Sequence, residues 1–119
     1  MEKPHRKLVV WNKSVELSVL TYKVTETFPR HEMFGLTSQM RRSAVSVASN
    51  LAEGAAKTGR KELAQFLNIA RGSLSELDTQ IEVATRVGYL DTDQKNNLDE
   101  LMLQVDRMLY GFWRKAQGK

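Results

Sequence analysis

Apolar residues recur along this chain at alternating spacings of three and four, the repeat that lines one face of an α-helix, and they do so in four separate stretches. The clearest runs through Leu63, Leu67, Ala70, Leu74, Leu77, Ile81 and Ala84 without a break over three heptads, the pattern of a bundle seam. Phe66, Ile69 and Val83 widen it into a second row, and Gly88 supplies the left-handed position that ends the helix. An earlier helix is predicted from about Val10 to Thr27. It carries Val15, Val19 and Tyr22 on one row and Leu17, Leu20, Val24 and Phe28 on another, so a wide buried face is expected. Pro29 removes a backbone donor and disfavours helical geometry at Phe28, which stops that helix. The next is predicted from Thr37, read as its N-cap, to Glu53, just before Gly54. Its stripe is Met40, Ala44, Val47 and Leu51, and flanking small side chains allow a neighbouring helix to approach toward the short end of the usual range of about 8–10 Å. Asp91 and Gln94 form a capping-box pattern that opens the last helix. There Leu98, Leu101, Val105, Met108 and Phe112 run beside Met102, Leu109 and Trp113.

Connections of about four to nine residues between long helices favour antiparallel neighbours. The predicted architecture is therefore all-α, an antiparallel up-down-up-down four-helix bundle formed by residues 1–119 as one domain. A looser array, with the last two helices as a hairpin and the first two packed across it, is the alternative. The 119-residue length suits a single core. With no cysteine the chain has neither disulfides nor thiolate chemistry. His5 and His31 lie far apart without the companions a zinc site requires, so no metal and no cofactor are expected. No stretch approaches the roughly 20 apolar residues of a membrane span, and the first ten residues lack the apolar run of a secretory signal. A cytoplasmic protein without membrane contact follows as the expectation.

The net charge of +4 gains meaning from topology. In an up-down-up-down bundle both termini and the middle connection share one end. Residues 1–13 carry Lys3, Arg6, Lys7 and Lys13 against Glu2, for +3. Residues 53–62 carry Lys57, Arg60 and Lys61 against Glu53 and Glu62, for +1, and residues 107–119 carry Arg107, Arg114, Lys115 and Lys119, for +4. These segments hold +8 and leave −4 for the remainder, so the molecule is expected to be electrically polarised along its length. A basic end is a footprint for nucleic-acid phosphate. Solubility, together with complementing the dipole of the last helix, accounts for the same charges without any partner. Trp11 and Trp113 stand among basic residues where they could stack on unpaired bases, although each lies on an apolar row suited to a core or interface anchor. No groove-reading motif is visible, so sequence-specific readout is not expected.

In the second predicted helix Gln39, Ser43, Ser46 and Asn50 form a polar row, with Arg42, Ser46, Ser49 and Glu53 beside it. A solvated face and a packed polar interface are both consistent with these rows. In an antiparallel hairpin Arg41 or Arg42 comes level with Glu76, which makes an intramolecular or intersubunit charge pair plausible, while Asn50 and Glu53 are placed to cap or brace the turn at Gly54. The serines have no histidine placed as a base and no Gly-rich phosphate loop is present. An enzyme is not expected, and no small-molecule substrate is assigned.

The segments Leu8-Val9-Val10-Trp11, Phe28-Pro29, Glu32-Met33-Phe34-Gly35-Leu36-Thr37-Ser38-Gln39-Met40-Arg41-Arg42, Asn50-Leu51-Ala52-Glu53-Gly54, Phe66 to Leu77, and Gly88-Tyr89-Leu90 together resemble one family. It comprises small four-helix-bundle proteins encoded within intervening sequences of bacterial large-subunit ribosomal RNA genes. The chain departs from the family pattern at Val47-Ala48, where Ile-Pro is common, and at Leu51, where Ile is common. The resemblance implies a homo-oligomeric ring, commonly a pentamer, with a role alongside RNA. The accessory variability determinant of diversity-generating retroelements, a basic pentameric bundle, is a more distant likeness. Two functions follow as expectations: a non-enzymatic oligomer that binds RNA or DNA non-specifically through its basic end, or an oligomeric protein-binding scaffold without nucleic-acid activity.

Overall fold

Where the three-four repeats run, helices form. The computed structural model describes residues 3–118 and places α1 at Val9–Thr25, α2 at Leu36–Ala55, α3 at Arg60–Arg86 and α4 at Thr92–Ala116. Short 3-10 turns at Pro4–Lys7 and Arg30–Glu32 precede α1 and α2. Among the described residues there is no strand. The core is one cluster built from all four helices, centred on Leu17, Met40, Leu51, Leu67, Leu77 and Leu98, none of which reaches solvent. Each such leucine contributes about 2 kcal/mol through removal of its side chain from water.

Neighbouring helices cross in opposite senses. Early α3 meets late α2 at Gly54, and further along Ser73 of α3 meets Ser46 of α2. The start of α3 touches the end of α4 through Arg60 and Lys115, while its far end approaches the start of α4 through Glu82 and Lys95. Late α1 is held to early α2 by Arg41 and Thr25.

Two termini form as the sequence predicts. Asp91 accepts from the Gln94 amide at 2.8 Å, and the Gln94 side chain accepts from the Asp91 amide at 3.0 Å, closing the capping box. Gly88 adopts φ +89°, a conformation that a side chain would strain, and ends α3 just beyond its last turn.

The start of α2 differs from expectation. Thr37 lies inside the helix and is buried, and the N-cap is Gly35. A carboxylate from the preceding turn does the capping: Glu32 Oε1 accepts from the Leu36 amide at 3.2 Å, and its Oε2 accepts from the Tyr89 hydroxyl at 2.9 Å. The amide bond, then the hydroxyl bond, and more weakly His31 hold the Glu32 carboxyl below the usual carboxylate range. A carboxyl whose pKa falls on folding adds stability above its free-chain pKa and loses it as pH drops through the folded value. The melting-temperature gap between wild type and Glu32→Gln is thus expected to be full at neutral pH. It should shrink below about pH 4.3, the free-chain value for Glu. A gap that is constant with pH would show that the carboxylate charge contributes nothing.

The buried side of α1 also differs. Leu17, Val24 and Phe28 enter the core, whereas Val19 is 48% and Tyr22 44% exposed. Ser14, Thr21 and Thr25 take the vacated inward positions, their hydroxyls donating to the carbonyls of Val10, Leu17 and Thr21 at 2.7–2.8 Å. In α3 the second row is not a core row either, because Ile69 and Val83 are about half exposed. In α4 the inward line draws from both predicted rows: Leu98, Met102, Val105 and Leu109, continued by Ala116.

Candidate nucleic-acid interface at one pole

At 1.5 Å per residue the 27 residues of α3 extend about 40 Å, nearly the full 43 Å of the long axis. Its first residue therefore marks one pole of the molecule. Arg60, at that position, donates from Nη2 to the Lys115 carbonyl at 2.8 Å, so the end of α4 lies there too. The end of α2 is there through Gly54, packed against Leu63 and Phe66 of α3. The segment before α1 completes the set: late α1 meets early α2, so α1 begins beside late α2, and the first 3-10 turn packs against α2 there.

Of the residues singled out from the sequence, Lys3, Arg6 and Lys7 are exposed in and beside the first 3-10 turn. The Arg6 guanidinium lies 5.3 Å from the Trp11 ring centre, and the His5 ring packs on the same indole. Lys13, one turn into α1, pairs with Glu16 at 3.5 Å and is partly compensated. Lys57 lies over the Phe66 ring at 5.4 Å. Lys61, Arg114 and Lys115 are exposed. Arg107 does not belong to the pole: it sits nine residues, about 14 Å, before the end of α4. Glu2 and Lys119, of opposite charge, lie outside the described residues.

The polar rows of α2 divide. Ser43 is buried, Ser46 and Ser73 share a 2.8 Å hydroxyl bond across the α2–α3 interface, and Asn50 donates to the Ser46 carbonyl at 2.8 Å and hydroxyl at 3.0 Å. That row is a packed polar interface. Gln39 at its start is exposed, as are Arg42, Ser49 and Glu53 on the neighbouring row. Within one chain the charge pair anticipated with Glu76 does not form. Arg41 turns instead toward α1, donating from Nε to Thr25 Oγ1 at 2.9 Å with its guanidinium 4.5 Å from the Tyr22 ring centre, while Glu76 stays exposed. Asn50 braces its own helix rather than the turn beyond it. Gly54 lies inside α2, not after it. A Cβ there would stand 3.0 Å from Phe66 Cβ and 3.1 Å from Leu63 Cδ1, so its role is close helix approach.

One cluster was not anticipated. Arg71 of α3 places its guanidinium 5.2 Å from the ring centres of both Tyr110 and Trp113, and Arg114 approaches the Tyr110 ring at 5.9 Å. The Nε of Arg71 is buried without a hydrogen-bond partner. The aromatic residues of late α4 thus carry cations at the edge of the basic pole. Finding this from sequence required the register of α3 against α4, which no local pattern encodes.

The other pole is held by acids. Glu82 bonds Arg86 at 2.8 Å, which holds the Glu82 carboxyl below its ordinary range, and Asp99 bonds Lys95 at 2.6 Å, which raises the Lys95 ammonium above its own. Among the described residues no cluster of three His, Cys, Asp or Glu side chains could hold a metal ion. No helix among them is long and apolar enough to cross a membrane.

No curated protein matches the chain. Its fold is similar to the crystal structure of a protein of unknown function from the S23 ribosomal protein family of Bacteroides thetaiotaomicron. The two share 24% identity and a TM-score of 0.78 over 87% of this chain and 96% of that one. The sequence model described as 23S rRNA-intervening sequence protein matches residues 6–111, and the chain, with its four helices and the motifs around Gln39 and Gly54, belongs to that family.

Proposed function

We propose that this protein is a non-enzymatic, self-associating helical bundle that binds RNA or DNA through phosphate contacts at its basic pole, without sequence readout. The observation that carries the reading is the convergence of Lys3, Arg6, Lys7, Lys57, Arg60, Lys61, Arg114 and Lys115 on one end of an elongated molecule. Most of these side chains are exposed and free to meet a polyanion, and each neutralised phosphate releases condensed counterions. Self-association is supported by the face of α1 and α2 that the core leaves uncovered. There Val15, Val19, Tyr22, Val45 and Ala48 line an apolar groove of about 650 Å³, and Phe34 nearby is 96% exposed. A ring, the pentamer implied by the family likeness, would set several weak poles on one surface and raise avidity without new contacts.

Fluorescence anisotropy with a labelled ribosomal RNA fragment tests the first element. Affinity is expected to fall steeply with salt, with a slope near −4 to −6 in log K against log salt for six to eight phosphates on a single strand. A flat salt dependence would overturn the phosphate reading. Sedimentation velocity tests the second: a monomer at micromolar concentration would remove the ring. An oligomer with no affinity for either nucleic acid would leave the protein-binding scaffold, which the same apolar groove favours, as the function.

A further inference from the structure

We propose that the groove between early α3 and late α4, beside the basic pole, seats an unpaired nucleobase of single-stranded RNA or DNA. This rests on the nucleic-acid reading above and narrows it to one strand state and one set of residues. The groove has a volume of about 470 Å³, and Lys61, Gln65, Asn68, Trp113 and Gln117 line it over a floor of Ala64 and Ala116. That size lies within the range of about 300–1,000 Å³ typical of small-ligand sites.

The chemistry of this lining is that of base recognition. An indole offers a flat stacking surface that suits any base, worth about 1–3 kcal/mol per stacked base. Three carboxamides supply donors and acceptors together, the combination that meets the Watson–Crick or Hoogsteen edge of a base. Lys61 brings a cation to the rim for the attached phosphate, and none of the lining residues is acidic. The alanine floor leaves room for a flat ring without offering the large apolar side chains on which a protein partner would anchor.

Trp113 is also held in place. The Arg71 guanidinium lies 5.2 Å from its ring centre and equally close to Tyr110, and the two aromatic rings sit 6.0 Å apart at 33°. Through its guanidinium Arg71 thus packs on both rings at once. A stacking surface already fixed costs little entropy when a base arrives. A duplex cannot use it, because its bases are stacked on one another. Trp113 and Gln117 lie past residue 111, where the family match ends.

The experiment compares a fluorescein-labelled 12-nucleotide single strand with a hairpin duplex of equal charge, as RNA and as DNA, on the full chain at low salt. Wild type is expected to bind the single strand roughly tenfold more tightly than the duplex. Exposed Gln65 and Asn68 are tested as Gln65→Leu and Asn68→Leu, which leave the charge of the pole unchanged. These variants should lose about tenfold on single strands and less than twofold on the duplex. In a Trp11→Phe background, single strands should quench the remaining tryptophan emission and the duplex should not. Equal binding of both strand states, with no selective loss in the variants, would overturn the base seat and leave the phosphate reading standing. No binding of any probe would overturn both. A strong preference for RNA over DNA would keep the seat and place a 2′-hydroxyl contact beside it.

Discussion

Gly54→Val should lower the unfolding free energy by about 2–3 kcal/mol, the cost of forcing branched carbon into a packed helix interface. The reason is geometric. The first added atom already stands 3.0 Å from Phe66 Cβ and 3.1 Å from Leu63 Cδ1, and Val adds two methyl groups beyond it. α2 and α3 share the most extensive helix contact in the molecule, so separating them there disturbs the core at its widest interface. Gly54→Ala is a different matter. Its single methyl requires a shift of a few tenths of an ångström, offset by the helix preference of Ala over Gly, about 1 kcal/mol, and should come out near neutral. Thermal denaturation reads the series: a drop of roughly 8–12 °C is expected for Val and a few degrees at most for Ala. Adding Leu63→Ala to Gly54→Val tests the mechanism. Removing Cδ1 relieves part of the clash, so the double variant should be more stable than the sum of the single costs predicts. Strict additivity would show that Gly54 matters for some reason other than approach to α3. The glycine that closes the Asn-Leu-Ala-Glu-Gly segment is on this argument a packing residue, and its substitution should leave nucleic-acid affinity per folded molecule unchanged.

What could be read from the sequence was what neighbouring residues decide among themselves. The seam of α3, the Asp91–Gln94 box and the left-handed Gly88 each depend on residues within a turn or two, and all three form as predicted. Which of two apolar rows turns inward is decided by the partner helices, and there the reading failed for α1. Ser14, Thr21 and Thr25 look like surface residues in a list of side chains. They are buried at little cost because each hydroxyl donates to the carbonyl one turn back, leaving no polar group orphaned. Val19 and Tyr22 are left outside as a consequence. The same limit governs the motif of α2. Its spacing placed Arg41 level with α3, yet the guanidinium goes to Thr25 and Tyr22 of α1, because an arginine side chain can swing to either neighbour. The pole itself was legible since it needs only chain order and antiparallel packing. The Arg71, Tyr110 and Trp113 cluster was not, since it depends on how far α4 slides along α3.

Reversing three charges at the pole, with Lys3→Glu, Lys7→Glu and Lys57→Glu together, is expected to reduce affinity for single-stranded RNA by roughly a hundredfold at about 50 mM salt. Each lost phosphate contact is worth about 0.5 kcal/mol on the footing of exposed ion pairs, and the new carboxylates add repulsion of similar size, which over three sites comes to about 3 kcal/mol. These residues are exposed and accept no burial cost, so folding should be nearly unaffected, within about 0.5 kcal/mol for each site. The matched control is Arg30→Glu, Arg86→Glu and Arg107→Glu, three exposed cations outside the pole and off the apolar groove of α1 and α2. It changes the net charge by the same amount and moves nothing at the pole. If affinity depended only on overall charge, both variants would weaken alike and their salt slopes would match. Localised contact predicts otherwise: the pole variant should lose about two units of slope, since three phosphates are no longer neutralised on a single strand, while the control keeps nearly the wild-type slope. Equal losses in the two proteins would overturn the pole as the binding surface. In a ring the contrast should sharpen further, because every subunit loses its contacts at once and avidity falls faster than the affinity of one pole.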